Sequence, residues 1–496
     1  MPEYADSYPR GIGHLAGDVP ALRAWARASD IDKSAFTYRD GMIFLGAAAD
    51  GTLLGLDDNR HCLTVAGSRA GKGVSVIVPN LCLYPGSALV IDPKGENALL
   101  TAARRGAGSP YCEGLGQAVY ILDPFGTAPL RPSAAFNPLS VFDLYSEQTC
   151  ELAIDDAALI ADALVTPGGE RESHWDESAR SVLEMLILHV LTTESPESCT
   201  LPRVRQLLMS GDFLDRMQEN DAFEGLIAGA AAALLALGEQ ERGSILSTAR
   251  RNTKFLDSPA MQRVLEKSDF DLGDLKRRPL TLYLCLPASR LHTHARWLRL
   301  IIGLALALME RESARPALPV LFLMEEFAAL GKMEVIETAA GLMAGYGVKL
   351  WPILQDLTQL KRHYRESWET FLGNAGLHQF FGNTDLTTLE HVSKRLGKTR
   401  IQSITESENE RGGQGVSIKA DTAPLLNPDE VEYFFARERQ KQMVLIPGQM
   451  PWALGRLSYE DPFFHGKRDW HESLGRPMPP TLEELRARRD PPKSRG

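Results

Sequence analysis

Between Cys62 and Val74 the chain reads Cys-Leu-Thr-Val-Ala-Gly-Ser-Arg-Ala-Gly-Lys-Gly-Val, an apolar run that passes through small residues to a lysine and then into an amphipathic segment. The pattern predicts a strand, a tight loop and the start of a helix. Backbone N–H groups at a helix N-terminus hold an anionic phosphate chain, and they approach it only where side chains are small. Ala66, Gly67, Ser68, Ala70, Gly71 and Gly73 supply that smallness. Lys72 adds a point charge in the place that lysine holds in the phosphate-loop pattern G-x-x-x-x-G-K-[ST]. Ala66 stands where the first glycine of that pattern belongs, and Gly73 where a hydroxyl would meet Mg²⁺. Ser75 is no obvious substitute, because two residues along a helix face roughly opposite ways. By itself the stretch is a nucleotide loop or a Gly-rich turn with a solvated lysine.

The flanking sequence adds the frame in which the loop sits. Ser87-Ala-Leu-Val-Ile-Asp92 and Ala118-Val-Tyr-Ile-Leu-Asp123 are apolar strands that each end in Asp-Pro. Strands separated by helical segments imply a parallel sheet with ligands at the carboxyl ends of its strands. From about Phe142 to Lys276 helical periodicity takes over, and strand patterns return at Pro279–Leu286, Pro319–Glu326, Val348–Leu354, Gln379–Phe381 and Met443–Ile446. The expected fold is therefore α/β with a mostly parallel central sheet and an inserted all-α domain. Its expected parts are a lead-in segment (1–41), a nucleotide-binding domain in two pieces (42–141 and 277–465), the helical insertion (142–276) and a basic tail (466–496) with a short helix from Thr481. A hairpin is expected over Met42–Leu56, and buried helices over Leu226–Leu237 and Leu300–Met309.

The chain has 496 residues and a net charge of −10, with 44% hydrophobic and 24% charged residues. These are ordinary globular values, and the acidic balance argues against a general nucleic-acid coat while leaving room for a local basic channel. Six scattered cysteines form no C-x-x-C pair, so a reduced protein without a structural zinc site is expected. The N-terminus lacks signal-peptide features, and the apolar runs are too short to span a bilayer.

Three further places carry chemistry. Val320-Leu-Phe-Leu-Met-Glu-Glu-Phe327 ends a strand in two adjacent carboxylates, which are costly at a buried strand end unless a cation compensates them. In a nucleotide site Glu325 would hold Mg²⁺, directly or through water, and Glu326 would polarise the attacking water. The plainer reading is a helix start with acids favouring the dipole. Gln355, at the end of Val348–Gln355, is placed to sense a γ-phosphate or position water, unless it merely accompanies capping of the next helix by Asp356. Basic clusters at Arg250, Arg251 and Lys254, at Lys361 to Arg365, and at Lys394, Arg395, Lys398 and Arg400 are candidate DNA contacts or solvated faces. His174-Trp-Asp176 precedes a helix expected from Ser178, with Asp176 as its cap and Trp175 as a core anchor.

Several runs together carry a resemblance. They are Leu63–Ser75 with Val78-Pro-Asn-Leu81, Val90-Ile-Asp-Pro-Lys-Gly-Glu-Asn97, Phe136-Asn-Pro-Leu139, His174-Trp-Asp-Glu-Ser-Ala-Arg180, Leu323–Gly331, Met343-Ala-Gly-Tyr-Gly347 and Gln355-Asp-Leu-Thr-Gln-Leu360. In this order, over roughly Gly46 to Phe464, the chain resembles the type IV coupling proteins, the TraG-like ATPases of conjugation and type IV secretion. The resemblance implies a RecA-like domain with an all-α insertion and a hexamer around a DNA channel, with ATP and Mg²⁺ as cofactors. It implies partners among DNA, a relaxase or secreted protein, and secretion components. Carried over, Gly67, Ser68, Arg69, Ala70, Gly71, Lys72, Gly73 and Val74 would bind the triphosphate, with Lys72 on the β- and γ-phosphates and Glu326 as the catalytic carboxylate. Arg395 and Arg365 are the candidates for an arginine finger. Ala66 and Gly73 fall within this family's loop pattern.

The chain departs from the family at Glu325, where Asp is usual, and one extra methylene disturbs metal geometry. It also departs before Cys62, where the residues are polar or weakly apolar rather than a membrane anchor. The expected function is an ATP-driven DNA or nucleoprotein translocase, cytoplasmic and recruited to the inner membrane by partners. The alternative is a nucleotide-gated docking platform with little turnover.

Overall fold

A computed structural model describes residues 24–129, 132–142, 152–166, 173–408 and 414–489, without the side chains of 401–421. Residues 1–23 of the expected lead-in and 490–496 of the expected tail lie outside the described residues. The described strands, in chain order, are β1 (Ile43–Ala47), β2 (Leu53–Leu56), β3 (His61–Ala66), β4 (Ala88–Asp92), β5 (Gly108–Ser109), β6 (Cys112–Glu113), β7 (Ala118–Leu122), β8 (Leu280–Cys285), β9 (Val320–Met324), β10 (Val348–Leu354), β11 (Ala375–Phe381), β12 (Lys398–Glu408), β13 (Gln414–Pro424), β14 (Lys441–Leu445) and β15 (Trp452–Gly455). The chain divides into two compact units, Met1–Tyr84 with Trp351–His465, and Pro85–Leu350 with Gly466–Gly496.

In the first unit the strand order is β2-β1-β15-β14-β11-β3-β10. β3 runs parallel to β10 and β11, whereas β11–β14, β14–β15, β15–β1 and β1–β2 are antiparallel. β1 and β2 form the hairpin expected over Met42–Leu56. Every residue of β3 is buried, as a strand covered on both faces requires. Polar side chains inside this unit are paired in a row. Trp351 Nε1 donates to Thr64 Oγ1 at 2.9 Å, Thr64 Oγ1 to Gln379 Oε1 at 2.8 Å and Gln379 Nε2 to Gln442 Oε1 at 3.0 Å. Gln442 Nε2 then donates to the Leu45 carbonyl. The row crosses β10, β3, β11, β14 and β1, and each member satisfies a neighbour whose burial would otherwise cost about 1–3 kcal/mol. Asn80 does similar service between helix and hairpin, accepting from Phe44 N–H at 2.8 Å and donating to the Phe44 and Val76 carbonyls. β12 and β13 form a long antiparallel hairpin that the sequence pattern did not announce.

In the second unit β9, β4, β8 and β7 are consecutive and parallel. The chain between β7 and β8 is helical, with helices Ala153–Leu164, Ser173–Thr193, Leu201–Met209, Phe213–Gln218, Leu226–Ala236, Glu239–Asn252 and Pro259–Leu265 among its described residues. The Leu226–Ala236 helix differs from expectation. It buries only Ile227, Ala231 and Leu234, because its alanines are small enough to tolerate solvent on the other side. The helix expected from Ser178 begins at Ser173, so Asp176 lies inside its first turn and Trp175 is half-buried rather than a core anchor. The following long helix, Ala288–Arg311, is well buried. Its C-terminal carbonyls at Met309 and, one residue beyond, Glu312 accept from Lys276 Nζ at 2.7 and 2.5 Å, where a cation suits the helix dipole. Arg311 pairs in a fork with Asp156 at 2.7 and 2.5 Å.

His378 on β11 is 2% exposed, and its Nε2 lies 2.9 Å from the Leu372 carbonyl, so the neutral ring donates there. Burial pushes its pKa down to about 4, with the Arg395 charge acting in the same direction. The folded state therefore binds fewer protons than the unfolded state between about pH 6.5 and 4. Stability from this residue is fully present above that window and is lost as pH falls through it, by about 3 kcal/mol at most. Urea unfolding of wild type and His378→Gln across this window is expected to show a shallower acid loss in the variant.

Candidate nucleotide site

The loop after β3 is built by the parallel pairing of β3 with β11. Gly67 N–H donates to the Phe381 carbonyl at 3.2 Å, and the next residue on that side, Gly382, has left-handed backbone at φ 62°. A Cβ on Gly67 would lie 1.8 Å from the Gly382 carbonyl oxygen, so only glycine fits. Ala70 N–H then closes a turn on the Gly67 carbonyl at 3.1 Å. Arg69 (φ 56°) and Gly71 (φ 94°) are left-handed, and Lys72 is right-handed. Alternation of this kind turns successive N–H groups toward one concave side and makes a nest for an anion. The loop thus has the form that a phosphate chain requires.

Lys72 stands at the head of a helical segment whose first turn, Gly73–Ile77, is a π-helix. In an α-helix the Val78 N–H would bond the Val74 carbonyl, but that carbonyl accepts from the Tyr459 N–H at 3.0 Å, and the Val78 N–H reaches back to the Gly73 carbonyl instead. Ser75 is buried and its hydroxyl donates to the Gly71 carbonyl at 2.9 Å. It serves the loop's backbone, in keeping with its poor placement as a stand-in for the hydroxyl missing at Gly73.

Gln355 follows β10, and its N–H donates to Gln359 Oε1 at 3.0 Å. Asp356 caps the Leu357–Tyr364 helix by accepting from Gln359 N–H at 3.0 Å. The Gln355 carbonyl accepts from Asn383 Nδ2 at 3.2 Å. Asn383 follows Gly382, so this amide ties the sensor candidate to the segment that packs on Gly67. Lys72 and Gln355 therefore belong to one unit with the loop. Arg395 is exposed near the end of the Leu386–Leu396 helix. Arg365 is exposed with a left-handed φ of 43° after the Leu357–Tyr364 helix.

The paired acids lie in the second unit. β9 is wholly buried, Glu325 follows at 8% exposure, and Glu326 has left-handed backbone at φ 55° and ψ 40°. A non-glycine residue there is uncommon and turns its side chain out of the strand's alternation. Asn97 Nδ2 donates to Glu325 Oε2 at 3.0 Å. Asp92, at the end of the adjacent β4, is fully buried. Its Oδ2 accepts from Ala98 N–H at 2.8 Å, and its Oδ1 has no hydrogen-bond partner. Burial, with the Glu325 charge adding to it, pushes the Asp92 pKa up to about 7. An orphaned carboxylate oxygen beside a second carboxylate fits a hydrated cation. The turn after Glu326 is held by Arg299, whose Nη1 donates to the carbonyls of Leu330 and Lys332 at 2.9 and 2.7 Å.

The family model for type IV secretory system conjugative DNA transfer matches residues 24–473. The chain belongs to that family of coupling proteins. It is 31% identical over 449 residues to the conjugal transfer protein TraG of Escherichia coli, covering 82% of the chain and 68% of the relative. It is 28% identical over 429 residues to VirD4 of Rhizobium rhizogenes, covering 82% of the chain and spanning 60% of the relative's length. Among solved structures it resembles the conjugative coupling protein TrwB in its sulphate-bound trigonal form, with TM-score 0.65 and 14% identity over 90% of this chain and 96% of that one. TrwB in complex with ADP and Mg²⁺ gives TM-score 0.61 at 15% identity, over 88% and 93% of the two chains. The fold is accordingly the RecA-like P-loop fold of this family, α/β with a helical part. No helix of the described residues is long and apolar enough to cross a membrane.

The sequence pattern does not single out Asn97, which holds Glu325, or Gly382, Asn383 and Arg456, which lie beside the loop after β3. Asn97 lay inside a quoted motif, whereas nothing local distinguishes Arg456 from any lone arginine after a strand. The backbone contacts make a paired test. Gly67→Ala is expected to lose about 1–3 kcal/mol or more through overpacking against Gly382. Gly73→Ala, whose Cβ meets nothing within 4 Å, is expected to be neutral or to gain about 0.5–1 kcal/mol. Chemical denaturation of both variants reads the difference.

Proposed function

We propose that the chain is an ATP-driven translocase that delivers conjugative DNA, or a relaxase bound to DNA, to a type IV secretion channel. The observation that carries this reading is the built loop, in which left-handed Arg69 and Gly71 precede Lys72 at the head of a helical segment, within a chain of the DNA-transfer family. In this reading the N–H groups of Ser68, Arg69 and Gly71 to Val74 surround the phosphates, and Lys72 neutralises the β- and γ-phosphate oxygens. Glu325, oriented by Asn97, would hold Mg²⁺ directly or through water, and the ion would supply charge neutralisation on the phosphate oxygens. Glu326 accepts a proton from the attacking water, and Gln355 orients that water or senses the γ-phosphate. The segments 42–141 and 277–465 form the motor, and the helical segment 142–276 receives the cargo. The working form is a homo-hexamer in which Arg395 or Arg365 of one subunit meets its neighbour's γ-phosphate.

A second reading draws on one specific feature. Glu325 is the longer acid, nearly buried, and shares its surroundings with Asp92, whose pKa is already raised to about 7. One extra methylene disturbs metal geometry, which suits a site that binds nucleotide and turns it over slowly, as a nucleotide-gated docking platform would.

Steady-state ATP hydrolysis separates the two. With single- or double-stranded DNA at low salt, the translocase reading expects stimulated turnover that falls by about a hundredfold or more in Lys72→Ala and Glu326→Gln. Undiminished turnover in Lys72→Ala would overturn the assigned site. Nucleotide binding with no DNA-dependent turnover would favour the docking platform.

A further inference from the structure

Arg456 follows β15, and its guanidinium lies behind the nucleotide loop. Nη1 donates to the Ala70 carbonyl at 2.5 Å and reaches Ser75 Oγ at 3.4 Å. Nη2 donates to the Arg437 carbonyl at 3.1 Å, and the group sits 4.4 Å from the centroid of the Phe381 ring. The residue is 7% exposed. Its backbone is anchored too, since Arg456 N–H donates to the Gln440 carbonyl at 2.8 Å, and Tyr459 N–H, three residues on, donates to the Val74 carbonyl at 3.0 Å. One side chain therefore touches the loop, the first turn of the following helix, the ring at the end of β11 and the turn at Arg437.

The Ala70 bond has a directional consequence. In a planar trans peptide the carbonyl and the following N–H point opposite ways. Drawing the Ala70 carbonyl back to Arg456 aims the Gly71 N–H forward, away from the guanidinium. The same holds one residue later, where Ser75 Oγ and N–H both donate to the Gly71 carbonyl at 2.9 Å and so aim the Lys72 N–H forward. Gly71 has a left-handed φ of 94°, and a Cβ there would stand 3.2 Å from Arg456 Nη1, close enough to press on the guanidinium. The charge has its own effect. The partners of the guanidinium are carbonyls, a hydroxyl and a ring, and no carboxylate among the described residues neutralises it. Burial lowers its pKa to about 10, so it remains a cation at neutral pH.

The geometry points to Arg456 as a positioning residue for nucleotide binding, setting the Gly71 N–H toward the phosphates and placing an uncompensated positive charge one peptide behind them. This rests on the reading that residues 67–74 bind a nucleotide. Arg456 touches the loop's backbone and not the ligand. A planar fork is needed, because one donor pair must serve the Ala70 and Arg437 carbonyls at once.

The test is equilibrium binding of ATP with Mg²⁺ to wild type, Arg456→Lys and Arg456→Ala, with circular dichroism and thermal melting recorded on each. Arg456→Ala is expected to stay folded and bind about tenfold or more weakly, with methylguanidinium in the buffer recovering part of the loss. Arg456→Lys, which keeps the charge but not the fork, is expected to fall between. Wild-type affinity in a folded Arg456→Ala overturns the inference. So does a loss that methylguanidinium leaves unchanged and that disappears when the variant is measured well below its melting temperature, since that is a stability effect. If Arg456→Ala does not fold, wild-type affinity in Arg456→Lys overturns the fork. A wild type that binds no ATP overturns the nucleotide reading itself, whereas a wild type and an Arg456→Ala that bind alike overturn only the role of Arg456.

Discussion

Two backbones meet without side chains where Gly67 packs on the Gly382 carbonyl, and the form of the loop after β3 depends on that contact. Parallel pairing of β3 with β11 in register, Ala66 opposite Phe381, delivers both chains to the same level at their carboxyl ends. Because neither residue carries a Cβ, the loop turns immediately instead of extending the strand. Left-handed Arg69 and Gly71 then complete a concave backbone. Had either chain carried a side chain there, the loop would be pushed away from the strand ends, where a parallel fold binds its ligands.

Buried polar groups give the two units their local precision. In the first, the row from Trp351 through Thr64, Gln379 and Gln442 to Leu45 ties strands together just below the loop. An apolar sheet would pack as well but would specify less exactly which residue faces which, because hydrophobic contact is non-directional. In the second, Arg299 holds the turn after Glu326 by its carbonyls, and Asn97 holds Glu325. Left-handed backbone at Glu326 costs of order 1–2 kcal/mol. Such a conformation persists where its surroundings over-determine it, and the Arg299 clamp is part of those surroundings.

Much of this was legible beforehand, for reasons that differ by residue. The loop, the acids at 325 and 326 and the strand ends at Asp92 and Asp123 announce themselves because phosphate binding and buried parallel strands impose local patterns. Helix limits were less accurate. The helix at Ser173 starts earlier than its apolar periodicity, since Asp176 is buried inside the first turn rather than exposed as a cap. The Leu226–Ala236 helix looked buried because alanine counts as apolar, yet alanine adds too little surface to demand burial on every side. The β12–β13 hairpin was harder to read because β12 is mostly polar, with Ile401 and Ile404 out of phase for one face, and only the short alternation of Val416, Ile418 and Ala420 in β13 marks a strand.

The sequence by itself determined the fold class and the family. A small-residue loop with lysine, an apolar strand ending in two acids and an ordered set of motifs over most of the chain leave little freedom in fold class or family, since each is a short-range requirement written in neighbouring residues. Only the tertiary structure decided which distant groups meet within each unit. Arg456 meets Ala70 across 386 positions, Asn97 meets Glu325 across 228, and Asp92 is left with an oxygen that has no partner. Those contacts depend on strand order and register, which arise from the packing of the whole sheet and leave no local trace in the residues that make them.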